Sequence, residues 1–281
     1  YEATSLTSVT FEEGSQLTSI GEYAFQDATS LTSFNIPSGI NIISSGVFSG
    51  ATSLTSVTIS PNSQINSIGD SAFRGTSSLT SFTIPSTVTS IGDDAFFMTS
   101  HLTSITIPAS VEIIGASAFS NSGLTSITFE AGSKLTSIGT QAFYNSGITN
   151  VLYNEDSTML IYYPPSLEAA NFEIPTTVTS IGVSAFQGAS ALTSIIIPAS
   201  VTRIGQDAFL NSGLTEATIY SDQLGKPGFP TSAGSGKTFG GNTGVNVITC
   251  QVFSGTGTLT GGWNNNSGNS IAVIEGYTTI G

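Results

Sequence analysis

One signature, G-x-x-A-F, returns along this chain at nearly constant intervals. It occupies residues 21–25, 69–73, 92–96, 115–119, 139–143, 182–186 and 205–209, with a degraded copy at 44–48. The closing phenylalanines, Phe25, Phe48, Phe73, Phe96, Phe119, Phe143, Phe186 and Phe209, are separated by 23, 25, 23, 23, 24, 43 and 23 residues. The step of 43 is about two periods less a few residues. A second block, L-T-S-x-x-I, keeps the same rhythm and opens at Leu6, Leu31, Leu54, Leu79, Leu102, Leu124, Ile148, Leu192 and Leu214. A fixed period of this length predicts a solenoid with one coil per repeat.

Each coil divides into short pieces. Residues 102–119 read L-T-S-I-T-I-P-A-S-V-E-I-I-G-A-S-A-F. The alternation around Ile105 and Ile107 predicts a strand with Leu102, Ile105 and Ile107 facing inward. Thr103, Ser104 and Thr106 then face solvent. Pro108 ends the pairing because it has no N–H to donate. Val111 and Ile114 make a second inward segment. Gly115 suits either a positive φ or a close backbone approach. Ala118 and Phe119 close the coil, and phenylalanines stacked at this position form a ladder. A lone coil cannot bury enough surface to hold itself together, so stability must come from stacking on neighbours. The longer coils carry two extra residues in one turn, as in 11–17 and 129–135 compared with 84–88.

The combined pattern L-T-S-I-T-I-P-x-S-V-x-x-I-G-x-x-A-F resembles the leucine-rich repeat of the BspA-like surface proteins. The resemblance covers residues 1–220. The irregular block 152–165, L-Y-N-E-D-S-T-M-L-I-Y-Y-P-P, resembles a variant in which one coil makes a hairpin-like detour, which accounts for the 43-residue step. The resemblance implies a leucine-rich repeat solenoid with parallel strands, β-dominated and horseshoe-like, right-handed and with little helix. It also implies a secreted or surface-attached protein. Some members of that family are adhesins for host matrix proteins, and similar proteins occur on protist surfaces.

The domain reading follows from the repeats. Residues 1–220 form the solenoid, with the irregular coil at 151–173. Residues 221–244 are rich in Gly, Ser and Pro and read as a linker. Residues 245–281 read as a small β segment, with a strand over 245–253, resembling the opening cap of a further repeat block. Both ends fall in mid-repeat, which suggests a segment of a longer array.

Composition excludes several functions. With 5 Lys+Arg against 18 Asp+Glu, the formal net charge is −13. Clustered cations for phosphate neutralisation are lacking, which argues against a nucleic-acid partner. An anionic membrane surface is equally unsuited, and no apolar run of 18 residues offers a membrane span. One Cys and one His leave little material for nucleophilic or metal-dependent catalysis. Cofactor, metal and catalytic residues are therefore expected to be none.

Individual motifs reduce to modest readings. Residues 234–238, G-S-G-K-T, lack the leading Gly of a phosphate-binding loop, because position 231 is Thr231. Cys250 reads as a strand residue, and His101 as an exposed loop residue. The acidic pairs Asp93/Asp94, Glu12/Glu13 and Glu155/Asp156 read as solvated turns, with weak calcium binding as the alternative. Asn265 opens the one N-glycosylation sequon.

More informative is an S-x-T pattern on the outward strand positions, Ser8/Thr10, Ser56/Thr58, Ser81/Thr83, Ser104/Thr106 and Ser126/Thr128. Stacked strands, about 4.8 Å apart, would align these hydroxyls in rows. The rows suit a neutral, soluble sheet face, a recognition surface for protein or glycan, or an ordered hydroxyl array that binds ice. The uneven coil length weighs against ice. Tyr153, Tyr162 and Tyr163 on the irregular coil are a candidate aromatic hot spot. The expected function is a non-enzymatic cell-surface or secreted protein acting in adhesion, with a protein or glycan ligand. The alternative is a structural spacer or filament-building segment whose neighbours are copies of itself end to end.

Overall fold

The computed structural model describes residues 3–12, 14–220 and 247–250. The chain divides into two compact units, residues 1–148 and 149–281. Both are parallel-strand β-solenoids of the leucine-rich repeat type, and no helix occurs among the described residues.

The regular coils of the first unit build two sides of paired strands. One side is built from the L-T-S-x-x-I blocks, forms two two-stranded sheets and is called here the strand face. Strand β1 (Ser33–Ile36) pairs in parallel with β3 (Ser56–Ile59), and β6 (Ser104–Ile107) with β8 (Ser126–Phe129). The other side uses two-residue strands, β2 (Ile42–Ile43), β4 (Ser67–Ile68), β5 (Ser90–Ile91), β7 (Ile113–Ile114) and β9 (Ser137–Ile138). Their register is unbroken, running Ile43↔Ile68↔Ile91↔Ile114↔Ile138. The predicted orientations hold. Leu102, Ile105, Ile107, Val111, Ile114, Ala118 and Phe119 are buried, while Thr103, Ser104 and Thr106 are exposed.

The third side of the coil, carrying G-x-x-A-F, is a run of turns with its own inter-coil hydrogen bonds. Two residues four apart take positive φ in coil after coil, as at Ser71 and Gly75, Asp94 and Met98, and Ser117 and Asn121. The left-handed backbone costs roughly 1–2 kcal/mol at each non-glycine position, so it needs a compensating gain. That gain is a directed ladder. Ser71, Phe73 and Gly75 donate their N–H groups to the carbonyls of Asp93, Ala95 and Phe97, at 2.7, 2.8 and 2.7 Å. The intervening Ala72 and Arg74 donate back within the turn. Alternate amides thus serve the next coil and their own, which leaves few backbone groups unpaired without a helix.

The phenylalanine ladder forms as expected. In the first unit, the rings of Phe25, Phe48, Phe73, Phe96, Phe119 and Phe143 follow one another at 5.8, 5.5, 5.1, 5.2 and 5.6 Å between centroids. Adjacent planes lie within 20° of parallel. Phe34 and Phe82 brace this column from the strand side. Phe34 lies 4.9 Å from both Phe25 and Phe48, and Phe82 lies 4.8 Å from Phe73. Between the two uses open for Gly115, the structure selects close approach. A Cβ there would stand 2.5 Å from the Asp93 amide nitrogen.

In the second unit, the irregular coil begins with an antiparallel hairpin, β10 (Leu152–Tyr153) against β11 (Met159–Tyr162). Asn154 and Asp156 close its turn by accepting from the amides of Met159 and Thr158, at 2.7 and 3.1 Å. Strand β11 then joins β13 (Ser180–Ile181) and β15 (Arg203–Ile204) in parallel. The strand face of this unit runs β12 (Asn171–Glu173), β14 (Ser194–Ile197), β16 (Glu216–Ile219) and β17 (Val247–Cys250). Strand β17 falls inside the segment 245–253 read as a strand. The linker 221–244, the phosphate-loop look-alike, the sequon and most of 245–281 lie outside the described residues, as does the side chain of Cys250.

Candidate functional site

The S-x-T pattern becomes two rows of side chains on the strand face of the first unit. Ser8, Thr10, Ser56, Thr58, Ser81, Thr83, Ser104, Thr106, Ser126 and Thr128 are all exposed. Pairing aligns Ser104 with Ser126 and Thr106 with Thr128. Ser56 meets Ser81 through a single parallel bridge. Ser8 and Thr10 lie in a segment that forms no strand.

Pairing adds two residues that the pattern search passed over, since Ser33 is in register with Ser56 and Asn35 with Thr58. Ser33 was legible, because it holds the Ser position of the block opening at Leu31. Asn35 breaks the S-x-T rule, and only the register reveals it.

The hydroxyls of this face fall into two populations. In several blocks the first threonine bonds backward to the preceding coil. Thr55 Oγ1 donates to the Thr32 carbonyl at 2.9 Å, and Thr125 Oγ1 to the Thr103 carbonyl at 3.2 Å. These hydroxyls reinforce stacking. The S-x-T hydroxyls are different. Thr58 Oγ1 donates to Asn35 Oδ1 at 3.0 Å. The other candidates make no side-chain hydrogen bond among the described residues. Each is a free donor and acceptor facing water.

Two shallow depressions mark the face. One, of about 380 Å³, lies over Ser81, Thr83, Ser104, Thr106, Thr128 and Glu130. The other, of about 460 Å³, lies over Thr58, Asn62, Ser63, Thr83 and Thr87. Neither is an enclosed cavity with converging titratable groups, the arrangement that acid–base catalysis needs.

The aromatic hot spot does not form as expected. Tyr163 is 0% exposed and Tyr162 only 6%, so neither can meet a partner. Tyr163 instead takes the place of a ladder phenylalanine. Its ring lies 5.0 Å from Phe186, its amide donates to the Ala185 carbonyl at 2.7 Å, and Phe172 braces it at 5.0 Å. Its distance to Phe186, one regular period of 23 residues, was the available signal. Tyr153 is half-buried and packs against the core of this unit. Burial raises the hydroxyl pKa of both Tyr153 and Tyr163 above the ordinary 10.0.

The remaining candidates disperse. Asp93 Oδ1 accepts from the Ala116 amide at 2.6 Å, whereas Asp94 pairs with Arg74 at 2.5 Å. The two adjacent carboxylates therefore do different structural work. Arg74 also lies 4.3 Å from the centroid of Phe97. His101 is exposed, and its Nδ1 donates to the Ser77 carbonyl at 2.5 Å. Among the described residues, no group of three or more His, Cys, Asp or Glu is placed to hold a metal ion, and no helix is long and apolar enough to cross a membrane.

Comparison with known proteins places this geometry in a family. The model of the BspA type leucine rich repeat region matches residues 1–101, 95–164 and 161–261, in six copies. The chain belongs to the BspA-type leucine-rich repeat family. The match continues past Tyr220, where the repeat legible by eye stops.

Among solved structures, a leucine rich cell surface protein from Faecalibacterium prausnitzii is 30% identical, with 83% of this chain and 76% of that one covered and a TM-score of 0.45. A leucine-rich repeat protein from Eubacterium ventriosum is 23% identical over 81% of this chain and 68% of that one, with a TM-score of 0.50. The pneumococcal vaccine antigen PcpA is 20% identical over 84% of this chain and 65% of its own length, with a TM-score of 0.43. No curated protein matches the sequence.

Proposed function

We propose that this protein is a non-enzymatic repeat protein of the cell exterior that binds a protein or glycan ligand through the hydroxyl rows of its first unit. The observation that carries this reading is the division of the face hydroxyls. One threonine column is spent on bonds between coils, while the S-x-T columns stay exposed and, Thr58 aside, unbonded. A face built for solubility alone has no need to leave the second set unbonded and outward, nor to pair it in register where strands form, as Ser104 with Ser126 and Thr106 with Thr128. Many weak polar contacts on a rigid sheet add up across repeats. Membership in a family that includes a bacterial cell surface protein supports the exterior location.

The test uses substitutions on outward positions that leave the core untouched. Thr10→Lys, Thr58→Lys and Thr106→Lys should fold as the parent does by circular dichroism. They should lose binding to whichever member of a glycan array or a panel of immobilised matrix proteins the parent binds. Full binding by all three would remove the face from the mechanism. End-to-end assembly of the parent with no ligand bound would favour the spacer reading.

A further inference from the structure

We propose that the depression centred on Thr83 takes an extended polypeptide segment carrying a lysine or arginine. This rests on the reading of the strand face as a binding surface and names the partner class for one part of it.

Three observations converge there. The first is a break in the sheet. Strands β1 and β3 pair over their full length, as do β6 and β8. Between them, residues 81–84 form no strand, and Ser81 keeps only its bridge to Ser56. Among the described residues, no strand pairing joins 81–84 to β6. The break is confined to this face. The same coils stay in register at Ser67↔Ser90↔Ile113, and on the turn side Phe96 N donates to the Ala118 carbonyl at 2.7 Å.

The second observation is the position of the depressions. That of about 380 Å³ straddles the break, with residues 81–84 on one side and Ser104, Ile105 and Thr106 on the other. That of about 460 Å³ flanks residues 81–84 from the opposite side, and Thr83 lines both.

The third observation is the chemistry of the lining. Ser81 and Thr83, and again Ser104 and Thr106, are free hydroxyls two residues apart along an extended backbone. Peptide groups of an extended chain that point the same way recur every two residues, at about 6.7 Å. A segment lying along the strand direction therefore matches this spacing, and hydroxyls can both donate to its carbonyls and accept from its amides.

The ring of Phe82 is turned inward, 6% exposed, against Phe73 and Phe96. No aromatic face is offered to a sugar ring. The one charged group in the lining is Glu130, whose Oε2 also accepts from the Ala109 amide at 3.2 Å. With a formal net charge of −13, the surrounding field favours a cationic side chain over an anionic one.

The experiment titrates two fluorescent octapeptides, alternating Lys-Thr and alternating Glu-Thr, into the whole chain and follows anisotropy. The Lys-Thr peptide should bind and the Glu-Thr peptide should not. Thr83→Val keeps size and strand preference while removing the hydroxyl. That change and Glu130→Gln should each weaken Lys-Thr binding by about tenfold, whereas Thr176→Ala, at an exposed turn of the second unit outside both depressions and outside the hydroxyl rows, should leave it unchanged. Equal binding of the two peptides, or indifference to both Thr83→Val and Glu130→Gln, overturns the proposal. If Thr10→Lys abolishes binding to an array ligand while the Lys-Thr peptide ignores the Thr83 groove, the face reading stands and the groove falls. If neither substitution changes anything, both fall.

Discussion

The strand faces of the two units have similar interiors and different exteriors. Inward, the first unit places Phe34, Val57, Phe82 and Ile105 behind its face, and the second places Phe172, Ile195 and Ala217. Outward, the first unit repeats Ser and Thr with Asn35 as its exception. The second shows Asn171 and Glu173, then Ser194 and Ile196, then Glu216 and Thr218. Stacking demands apolar side chains of compatible size at inward positions, because each must meet its counterpart in the next coil. Nothing in stacking constrains the outward positions beyond strand preference. The uniformity of the first face is therefore not explained by the fold, and that makes it the better candidate for function.

The sharpest way to break this comparison is to attack the shared interior. Phe96 is 0% exposed and lies between Phe73 at 5.1 Å and Phe119 at 5.2 Å. Phe186 is equally buried, between Tyr163 and Phe209, both at 5.0 Å. Phe96→Ala and Phe186→Ala should each cost about 3–5 kcal/mol, as expected when a large core side chain leaves a cavity. Urea denaturation of each variant measures this. A cost under about 1 kcal/mol at either site would mean that its ladder is not a load carried by packing.

A smaller effect separates regular from irregular stacking. A Cβ on Gly205 would meet the Val183 amide nitrogen at 2.4 Å, with more backbone at 2.5 Å. The nearest atom to a Cβ on Gly182 is the Leu160 carbonyl oxygen, at 3.1 Å. The coil preceding Gly182 is the irregular one, and it leaves more room. Gly205→Ala should therefore destabilise by about 1–3 kcal/mol and Gly182→Ala by clearly less. Thermal melts of the pair check the order, and a reversal would show that the regular coils yield more easily than the irregular one.

Much of this was legible in the residues. The Phe spacing gave the ladder because stacked coils force equivalent positions into contact. The L-T-S-x-x-I alternation gave the two faces because side chains on a strand alternate. Three features were not legible, each for a physical reason. The turn-side ladder depends on left-handed backbone at residues as unlike as Tyr23, Ser71, Asp94 and Met98, so composition carries no trace of it. The break beside Thr83 is a matter of pairing, and residues 79–85 read like any other strand block. The tyrosines of the irregular coil looked like a contact patch because tyrosine is at home at interfaces. Only the period to Phe186 indicates that Tyr163 is a rung.

That substitution of Tyr for Phe supplies a third test. The Tyr163 hydroxyl is buried and has no hydrogen-bond partner among the described residues. Tyr163→Phe should stabilise the protein by about 1 kcal/mol, because an unsatisfied buried polar group is removed. The pH dependence has a definite sign. The folded-state pKa of Tyr163 is raised above the ordinary 10.0 by desolvation. Its contribution is thus fully present below about pH 10 and lost as pH rises from there through the folded value. The wild type should lose stability in this alkaline range more steeply than Tyr163→Phe. Parallel slopes in urea midpoints above pH 10 would mean that the hydroxyl is not desolvated in the folded state.

The smallest expected effect lies at the residue following each close-approach glycine. In the first unit this position carries a relay of carboxylates. Asp70 Oδ1 accepts from the Asp93 amide at 2.9 Å, and Asp93 Oδ1 accepts from the Ala116 amide at 2.6 Å. The second unit has Val183 and Gln206 at the corresponding steps, so it stacks without the relay. Asp93→Ala removes an acceptor from an amide that water can reach, which limits the loss to about 1 kcal/mol or less. Asp93→Asn retains a side-chain carbonyl and should lose less than that. Gln206→Ala should be neutral within about 0.5 kcal/mol. Differences this small call for urea curves fitted with a common slope, since the change in exposed surface is negligible. If Asp93→Ala and Gln206→Ala prove equal, the carboxylate relay adds nothing to stacking. The regular coils of the two units would then stack equally well with or without it.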